Sequence, residues 1–168
     1  MQFKVGDAVV HPAYGVGRIV EIEEKRTPEK GKQLYCKLIW PERTAWVPIE
    51  SQATLRLRSV TAKSDLDKYR KLLKSAPMPL PQKHYQRHLE LANRLRQGSF
   101  QIICEVVRDL TAWGERKPLG PTDMATLQRT QDKLYQEWAA AAGISIKEAA
   151  IEIGALLQAN SQAPMRVI

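Results

Sequence analysis

The sequence contains no long run of apolar residues. It opens with Met1–Lys4, which starts no hydrophobic leader. Because a bilayer-spanning helix needs about 20 apolar residues, we expect no membrane segment and no secretory signal. Cysteine is also scarce: Cys36 and Cys104 lie far apart, without metal-ligand spacing. Both occur in apolar patterns, which favours buried thiols in a reducing cytoplasm over a disulfide.

The motifs of common catalytic sites are missing as well. There is no glycine-rich phosphate loop, no His-Glu-x-x-His helix and no serine in a nucleophile-elbow context. His84 and His88 are four residues apart on a predicted helix, as metal ligands sometimes are, but His11 is remote and no carboxylate cluster accompanies the pair. We therefore expect a non-enzyme without cofactor or metal, whose two histidines belong to a plain or nucleic-acid-facing helix surface.

Positive charge is abundant and unevenly distributed. The chain has a formal net charge of +8 and a pI near 9.6. Residues 61–98 contain 9 Lys or Arg against 3 Asp or Glu, whereas the ratios are 10 to 7 in residues 1–60 and 7 to 8 in residues 99–168. A local surplus of this kind is typical of proteins that bind nucleic acid. A solvated amphipathic helix has the same composition, so charge alone does not decide between the two.

The first 60 residues are predicted to form a small β-barrel. Period-two alternation between turn residues predicts five strands: Ala8–His11, Gly17–Glu24, Gln33–Trp40, Thr44–Ile49 and Leu55–Arg58. Five short strands with close turns favour an SH3-like or Tudor-like barrel. Trp46 alternates with Val47 and is expected to point away from the core, as interface anchors do. A loop that covers Trp46 is equally compatible with the pattern.

From residue 61 the apolar residues recur at helical spacing, which predicts five helices. Ser64-x-x-Asp67 and Ser145-x-x-Glu148 are predicted capping boxes of the first and fifth helices, and Thr122 is a predicted cap of the fourth. The other expected bounds are Gln82–Gln97 for the second helix, Phe100–Trp113 for the third, Ala142 for the end of the fourth and about Ala159 for the end of the fifth. We thus expect an α+β chain: a barrel domain over 1–60, a helical domain over 61–160 and a flexible tail over 161–168.

The first two predicted helices carry nine cationic residues: Lys63, Lys68, Arg70, Lys71, Lys74, Lys83, Arg87, Arg94 and Arg96. Long cationic side chains can neutralise phosphates. His84 and Tyr85 follow the proline-rich connector Pro77–Pro81, at the start of the second helix. Flat rings beside cations can stack on exposed bases or wedge at a base step. DNA contact by this segment is favoured over a solvated helix on which Tyr85 packs against a neighbour.

Several motifs together carry a family resemblance that covers nearly the whole chain. The motifs are Phe3-x-Val5-Gly6-Asp7-x-Val9-Val10-x-Pro12-x-x-Gly15, Met78-Pro79-Leu80-Pro81, Arg87-His88 and Val106-Val107-Arg108-Asp109-Leu110. They resemble the CarD/CdnL family of bacterial transcription factors, whose N-terminal domain is shared with the transcription-repair coupling factor. The opening motif is the more specific part of the resemblance.

The resemblance implies a factor with two working parts. In such proteins the barrel grips the RNA polymerase β subunit, partly by adding its sheet edge to a polymerase strand, and the helical domain contacts promoter DNA at the upstream edge of the bubble. The positions that would contact polymerase are Lys25 and Trp46, with Arg26 beside them. Those expected at DNA are Lys83, His84, Tyr85, Arg87, His88 and Arg94. Such a factor would be cytoplasmic, nucleoid-associated through RNA polymerase, and a monomer when free.

The main departure from the family pattern lies at the DNA wedge. A tryptophan of the second helix usually wedges into the minor groove, and His84 stands at that position. Histidine buries less apolar area, so either Tyr85 takes over or the wedge is weaker. The resulting hypothesis is a regulator that stabilises open promoter complexes because it binds melted DNA better than duplex. The alternative is a stand-alone nucleic-acid-binding protein with a Tudor-like barrel, against which the near-balanced charge of residues 1–60 argues mildly.

Overall fold

The protein has an α+β fold, as predicted. Its computed structural model describes residues 3–49 and 57–160. The chain divides into two compact units, residues 1–60 and 61–168. The first unit is a sheet and the second is helical. The segment 161–168, predicted to be a flexible tail, lies outside the described residues. Within the described residues, no helix is long and apolar enough to cross a membrane.

The sheet unit has five antiparallel strands in the order β4-β3-β2-β1-β5. Their bounds are β1 Ala8–His11, β2 Gly15–Thr27, β3 Gly31–Trp40, β4 Arg43–Pro48 and β5 Arg58–Ser59. The hairpin of β2 and β3 is longer than predicted, because pairing continues out to Thr27 and Gly31. The predicted fifth strand, Leu55–Arg58, lies largely outside the described residues.

A single apolar cluster forms the core of the sheet unit. Its buried members are Val9, Ile19, Cys36, Leu38, Trp40 and Val47. Trp40 packs directly on the backbone of β2, since a Cβ at Gly17 would lie 2.8 Å from the indole Nε1. This close approach is the reason for glycine at position 17. Leu34, predicted on the same strand face as Cys36, lies further out on the hairpin and is exposed.

The helical unit begins with one 3₁₀ turn, Lys63–Asp65, followed by five helices. Their bounds are α1 Leu66–Lys74, α2 His84–Leu95, α3 Phe100–Arg116, α4 Pro121–Ala142 and α5 Ile146–Asn160. Helices α1, α3, α4 and α5 surround one core, which includes Leu73, Cys104 and Trp138. A second cluster joins the proline-rich connector and α2 to α3 through Leu80, Leu91, Val106, Leu110 and Trp113.

The cysteines are buried and unpaired, as predicted. Desolvation raises the pKa of Cys36, and it raises that of Cys104 further, with help from the nearby carboxylates of Glu137 and Glu105. A thiol that is hard to ionise is a poor nucleophile and a poor metal ligand. Both side chains therefore serve as small apolar core residues.

Helix caps test the sequence predictions most directly. Ser145 and Glu148 form the predicted capping box, with hydrogen bonds of 2.8 and 3.1 Å. The other two predicted caps are wrong. Asp67 pairs with Arg70 instead of capping at Ser64, and α1 begins at Leu66. Helix α4 begins at Pro121, one residue before Thr122, because proline fits the first helical position, where no amide donor is needed.

Candidate functional site

The start of α2 is anchored from inside the helical unit by Arg87. Its Nε and Nη2 donate hydrogen bonds to Asp123 Oδ2 of α4, at 2.9 and 2.8 Å. Its Nη1 donates to the carbonyl oxygens of Pro81 and Gln82, at 3.0 and 3.1 Å. The guanidinium also lies 4.7 Å from the ring centroid of Trp113. Arg87 thus ties the connector, α2 and the start of α4 together.

A second buried network, centred on Asp109 of α3, fixes the rest of the connector and the far end of α2. Asp109 accepts hydrogen bonds from the Met78 amide at 2.9 Å, from Arg94 Nη2 at 3.0 Å and from Arg108 Nε at 2.9 Å. Arg108 also donates to Ser75 Oγ at 2.8 Å. Buried ion pairs of this kind are costly to break, because one removed partner leaves an uncompensated charge. The network therefore resists movement of α2 relative to α3.

These contacts correct the expected roles of two arginines. Arg87 and Arg94 were expected to reach DNA, but Arg87 is 8 % exposed and the Arg94 side chain only 18 % exposed. Both guanidinium groups point into the helical unit, where carboxylates already pair with them. Sequence charge alone made them look like surface cations, since Asp123 and Asp109 are distant in sequence. We assign both arginines a positioning role.

The other predicted DNA-binding residues lie at the start of α2 and are exposed. Lys83, His84, Tyr85 and His88 are all exposed, and Tyr85 is 76 % exposed. The N-cap residue of α2, Lys83, makes no side-chain capping hydrogen bond, and the first turn of α2 contains no acidic residue. Free amide groups and the helix dipole give such an end a partial positive charge. We call Lys83, His84, Tyr85 and His88 the α2 tip.

The two histidines of the α2 tip do not belong to a recognisable metal site. Among residues 3–49 and 57–160, no group of three or more His, Cys, Asp or Glu side chains is arranged to hold a metal ion. Two imidazoles without a third ligand make a weak site for zinc or copper. The α2 tip thus presents aromatic and imidazole rings and positive charge at the start of a helix that Arg87 holds in place.

The sheet unit presents a second, partly exposed cluster, built around Trp46. Lys25 Nζ lies 3.6 Å from the ring centroid of Trp46, and Lys37 Nζ lies 5.7 Å from it. Lys25 also approaches the Tyr35 ring, at 5.9 Å. Trp46 is half-buried and lies on the strand face opposite the buried Val47, as predicted. We call Lys25, Tyr35, Lys37 and Trp46 the tryptophan face.

Strand register explains how the tryptophan face forms. Lys37 lies opposite both Trp46 and Glu21, and Tyr35 lies opposite Glu23 and Pro48. Lys25 therefore reaches across β3 to stack on Trp46, with Arg26 further out on the same hairpin. Sequence reasoning missed Lys37 and Tyr35, because alternation within a strand gives its face but not its partners across the sheet.

Strand β4 forms one edge of the sheet. Among the described strands it pairs only with β3. The Ile49 amide donates to the Leu34 carbonyl oxygen at 2.9 Å. Because hydrogen-bonded pairs alternate in an antiparallel ladder, the backbone groups of Trp46 and Thr44 face outward. Pro48, which has no amide hydrogen, also takes an outward position, where proline removes no ladder bond.

Family comparisons give these two surfaces a context. The family model described as the CarD-like/TRCF RID domain matches residues 3–61, and the one described as the CarD C-terminal domain matches residues 68–154. The chain belongs to the CarD family of transcription factors. A curated relative from Bacillus subtilis (strain 168), named "Putative transcription factor YdeB", is 28 % identical over 149 residues, which cover 87 % of this chain and 96 % of the relative. The CarD domains imply an interaction with RNA polymerase.

The CarD assignment also gives meaning to the Val106–Leu110 motif. Val106, Val107 and Leu110 are fully buried, and Arg108 and Asp109 hold the connector and α2 by hydrogen bonds. The motif therefore supports the α2 tip without forming part of the exposed surface.

Proposed function

We propose that this CarD-family factor binds the RNA polymerase β subunit through its sheet unit and contacts promoter DNA through the α2 tip. In this account the α2 tip lies at the upstream edge of the melted region. It binds the melted promoter better than closed duplex and so stabilises the open complex. The gain in stability equals the difference between these two affinities and cannot exceed it.

The proposal rests on one observation: the α2 tip is exposed, while a buried ion pair holds the start of α2 in place. Tyr85 is 76 % exposed, whereas Arg87, two residues later, is buried in its ion pair with Asp123. A ring presented by a rigid helix loses little conformational freedom on binding. At the junction of duplex and melted DNA, a protein can neutralise phosphates and stack on bases. The positively charged start of α2 suits the first task, and the exposed ring beside it suits the second.

Tyr85 is the residue we assign to base stacking. It has a larger flat ring than His84 and a greater apolar area to place against a splayed base step. Lys83 and His84 precede it and add charge or hydrogen-bonding capacity at the start of the helix. The α2 tip contains a single lysine and no arginine, so the electrostatic part of this contact is modest.

The tryptophan face and the β4 edge together form the proposed polymerase contact. The ammonium groups of Lys25 and Lys37 lie near the Trp46 ring and help to hold it in place, and tryptophan is enriched among residues that dominate interface energies. The outward backbone groups of Thr44 and Trp46 can accept a strand from the polymerase subunit. Docking through this unit would raise the local concentration of the α2 tip at the bubble, so a weak DNA contact suffices.

A second function is favoured by the composition of the same tryptophan face. Two lysines around an indole ring also form a surface on which a nucleic-acid base can stack. On this alternative the sheet unit grips DNA or RNA directly, and polymerase is not required.

Capture with the full chain separates the two functions. The immobilised protein is offered purified RNA polymerase and, in a separate experiment, single-stranded and duplex DNA at the same salt concentration. The proposal predicts capture of polymerase, with the β subunit as the cross-linked partner. Capture of nucleic acid through the tryptophan face, with no capture of polymerase, would support the alternative instead.

A further inference from the structure

We propose that a groove between α2 and α4 holds a single-stranded segment of the promoter DNA backbone adjoining the α2 tip. This inference rests on the proposed function, and it adds a specific second contact on a different helix. It identifies Arg129 as a DNA-binding residue that the sequence analysis did not select. It also explains how a modest tip contact distinguishes unwound DNA from duplex.

The groove is formed by two adjoining cavities. The first has a volume of about 190 Å³ and is lined by His88, Leu91, Ala92 and Leu95 of α2 and by Thr126 and Arg129 of α4. The second, of about 80 Å³, shares Leu95, Thr126 and Arg129 and extends along α4 to Thr130 and Lys133. The two cavities share three lining residues and lie side by side between α2 and α4.

The groove continues directly from the α2 tip. Positions 84, 88, 91 and 95 are spaced by four, three and four residues, and such positions share one face of an α-helix. His84 therefore lies one turn before His88, where the groove begins. On α4 the lining positions 126, 129, 130 and 133 are spaced by three, one and three residues, so they also share one face of their helix. A strand that leaves a base step at the α2 tip would thus meet the groove without a change of helix face.

The charge of the groove suits a phosphodiester chain. None of the eight lining side chains is acidic. Arg129 is exposed. It forms no ion pair with any residue in the described part of the chain. By contrast, Arg87 and Arg94 are already paired with internal carboxylates. Arg129 is thus available for a phosphate, and His88 stands across the groove from it.

The composition of the groove favours a single strand over a duplex. Leu91, Leu95 and Ala92 give it an apolar floor, and Arg129 of α4 provides an exposed cation beside that floor. Apolar surface for sugars and base edges, flanked by cations for phosphates, is the usual composition of a single-strand groove. In a duplex the bases are paired and stacked, so no free base edge is available to the apolar floor. Occupation of the groove therefore requires the strands to be separated.

The first test removes one charge from the groove. Full-length protein is titrated with a fork-junction DNA, which is a duplex with a short single-stranded overhang, and with the blunt duplex alone, over a range of salt concentrations. Arg129→Ala should weaken binding to the fork and reduce the slope of log K against log salt by about 0.7, the value for one phosphate contact on a single strand. Lys147→Ala, which removes an exposed charge on α5, should leave the slope unchanged.

The second test places a negative charge on the groove floor. Ala92→Glu should abolish the preference for the fork over blunt duplex, whereas Asn93→Glu, an exposed change on the next position of α2, should lower affinity for both DNAs equally. Circular dichroism and thermal unfolding of each variant confirm that the helices are retained. If Arg129→Ala keeps the wild-type slope and Ala92→Glu keeps the wild-type preference, the groove proposal is overturned.

The outcomes also separate this inference from the proposed function. If the wild type prolongs the open promoter complex but neither groove variant changes fork binding, the groove proposal fails and the function stands. If the wild type fails to prolong the open complex while fork binding depends on Arg129, the function fails and the groove remains a single-strand site. Equal binding of the wild type to fork and blunt duplex would overturn the groove proposal directly.

Discussion

Two nitrogens of Arg87 share a single carboxylate oxygen of Asp123, at 2.8 and 2.9 Å, and both side chains are almost fully buried. Arg87 lies in the first turn of α2 and Asp123 in the first turn of α4. The pair therefore joins the starts of α2 and α4, which are separated along the chain by α3. Because this pair holds the start of α2 in place, Tyr85 is exposed to solvent at a fixed position.

Removal of one partner of this pair should be severe. Asp123→Ala leaves the Arg87 guanidinium buried without its carboxylate, and breaking a buried pair in this way costs about 3–5 kcal/mol of unfolding free energy. Urea denaturation of the full chain measures the loss. Asp132→Ala removes an exposed carboxylate from the same helix and should change stability by less than about 0.5 kcal/mol. Similar effects of the two substitutions would show that the pair does not anchor α2.

A second anchor holds the beginning of the helical unit. Glu137 is only 1 % exposed. Its Oε1 accepts hydrogen bonds from the Thr61 amide at 3.1 Å and from the Thr61 hydroxyl at 2.9 Å. Thr61→Val keeps the shape and the amide bond but removes the hydroxyl donor to a charged group, so we expect a loss of about 1.5–3 kcal/mol in urea denaturation. Thr122→Val, exposed at the start of α4, is the matched control and should be near neutral.

Stability of the sheet unit should depend on pH through His11. Its Nδ1 accepts hydrogen bonds from the amides of Ala13 and Tyr14, at 3.1 and 3.3 Å, and burial lowers its pKa. The Tyr14 ring stacks on His11, and the Arg43 guanidinium lies 4.2 Å from the Tyr14 ring centroid. Below about pH 6.5 the unfolded chain therefore binds a proton that the folded chain does not, and stability falls as the pH drops.

Denaturation followed by tryptophan fluorescence between about pH 5 and pH 8 measures this effect. His11→Asn should flatten the profile, because asparagine can accept the same amides without titrating. His84→Ala changes an exposed histidine and should leave the profile unaltered. An unchanged pH profile in His11→Asn would mean that another group is responsible.

Trp46 should dominate the polymerase contact. Trp46→Ala removes the ring that Lys25 and Lys37 surround, and the loss of an interface anchor of this type costs about 2 kcal/mol, or about 30-fold in affinity. Binding to purified polymerase by the full chain measures it. Leu34→Ala, an exposed apolar change on the other face of β3, should leave affinity nearly unchanged. Loss of sheet folding in Trp46→Ala would instead identify Trp46 as a core residue.

Local signals in the sequence predicted the helices and strands well. They failed to predict the burial and contacts of side chains whose partners lie far away in the sequence. Gly143, which adopts a left-handed conformation, and the box of Ser145 and Glu148 were predictable because both depend on residues within one helical turn. The burial of Arg87 was not, since its partner Asp123 is 36 residues away. In the same way, alternation placed Trp46 on the outer face but could not show that Lys25 stacks on it.

The resemblance to the CarD family was predictable from the opening motif, and the family models confirm it. The motif could not predict the division among the cations of the helical unit, that is, which of them are buried in ion pairs and which are exposed. Arg87, Arg94 and Arg108 face inward to carboxylates, whereas Lys83 and Arg129 face solvent. That division is a property of packing, because the same charge is costly inside without a partner and inexpensive at the surface.

The central claim is tested most directly by the lifetime of open promoter complexes after a competitor challenge, with polymerase alone, with the full chain and with its Tyr85→Ala, His84→Trp and Asn93→Ala variants. The account predicts that the full chain prolongs the lifetime, that Tyr85→Ala loses most of the gain and that His84→Trp increases it. Asn93→Ala, outside the α2 tip, should match the wild type. Equal lifetimes with and without the full chain would contradict the account.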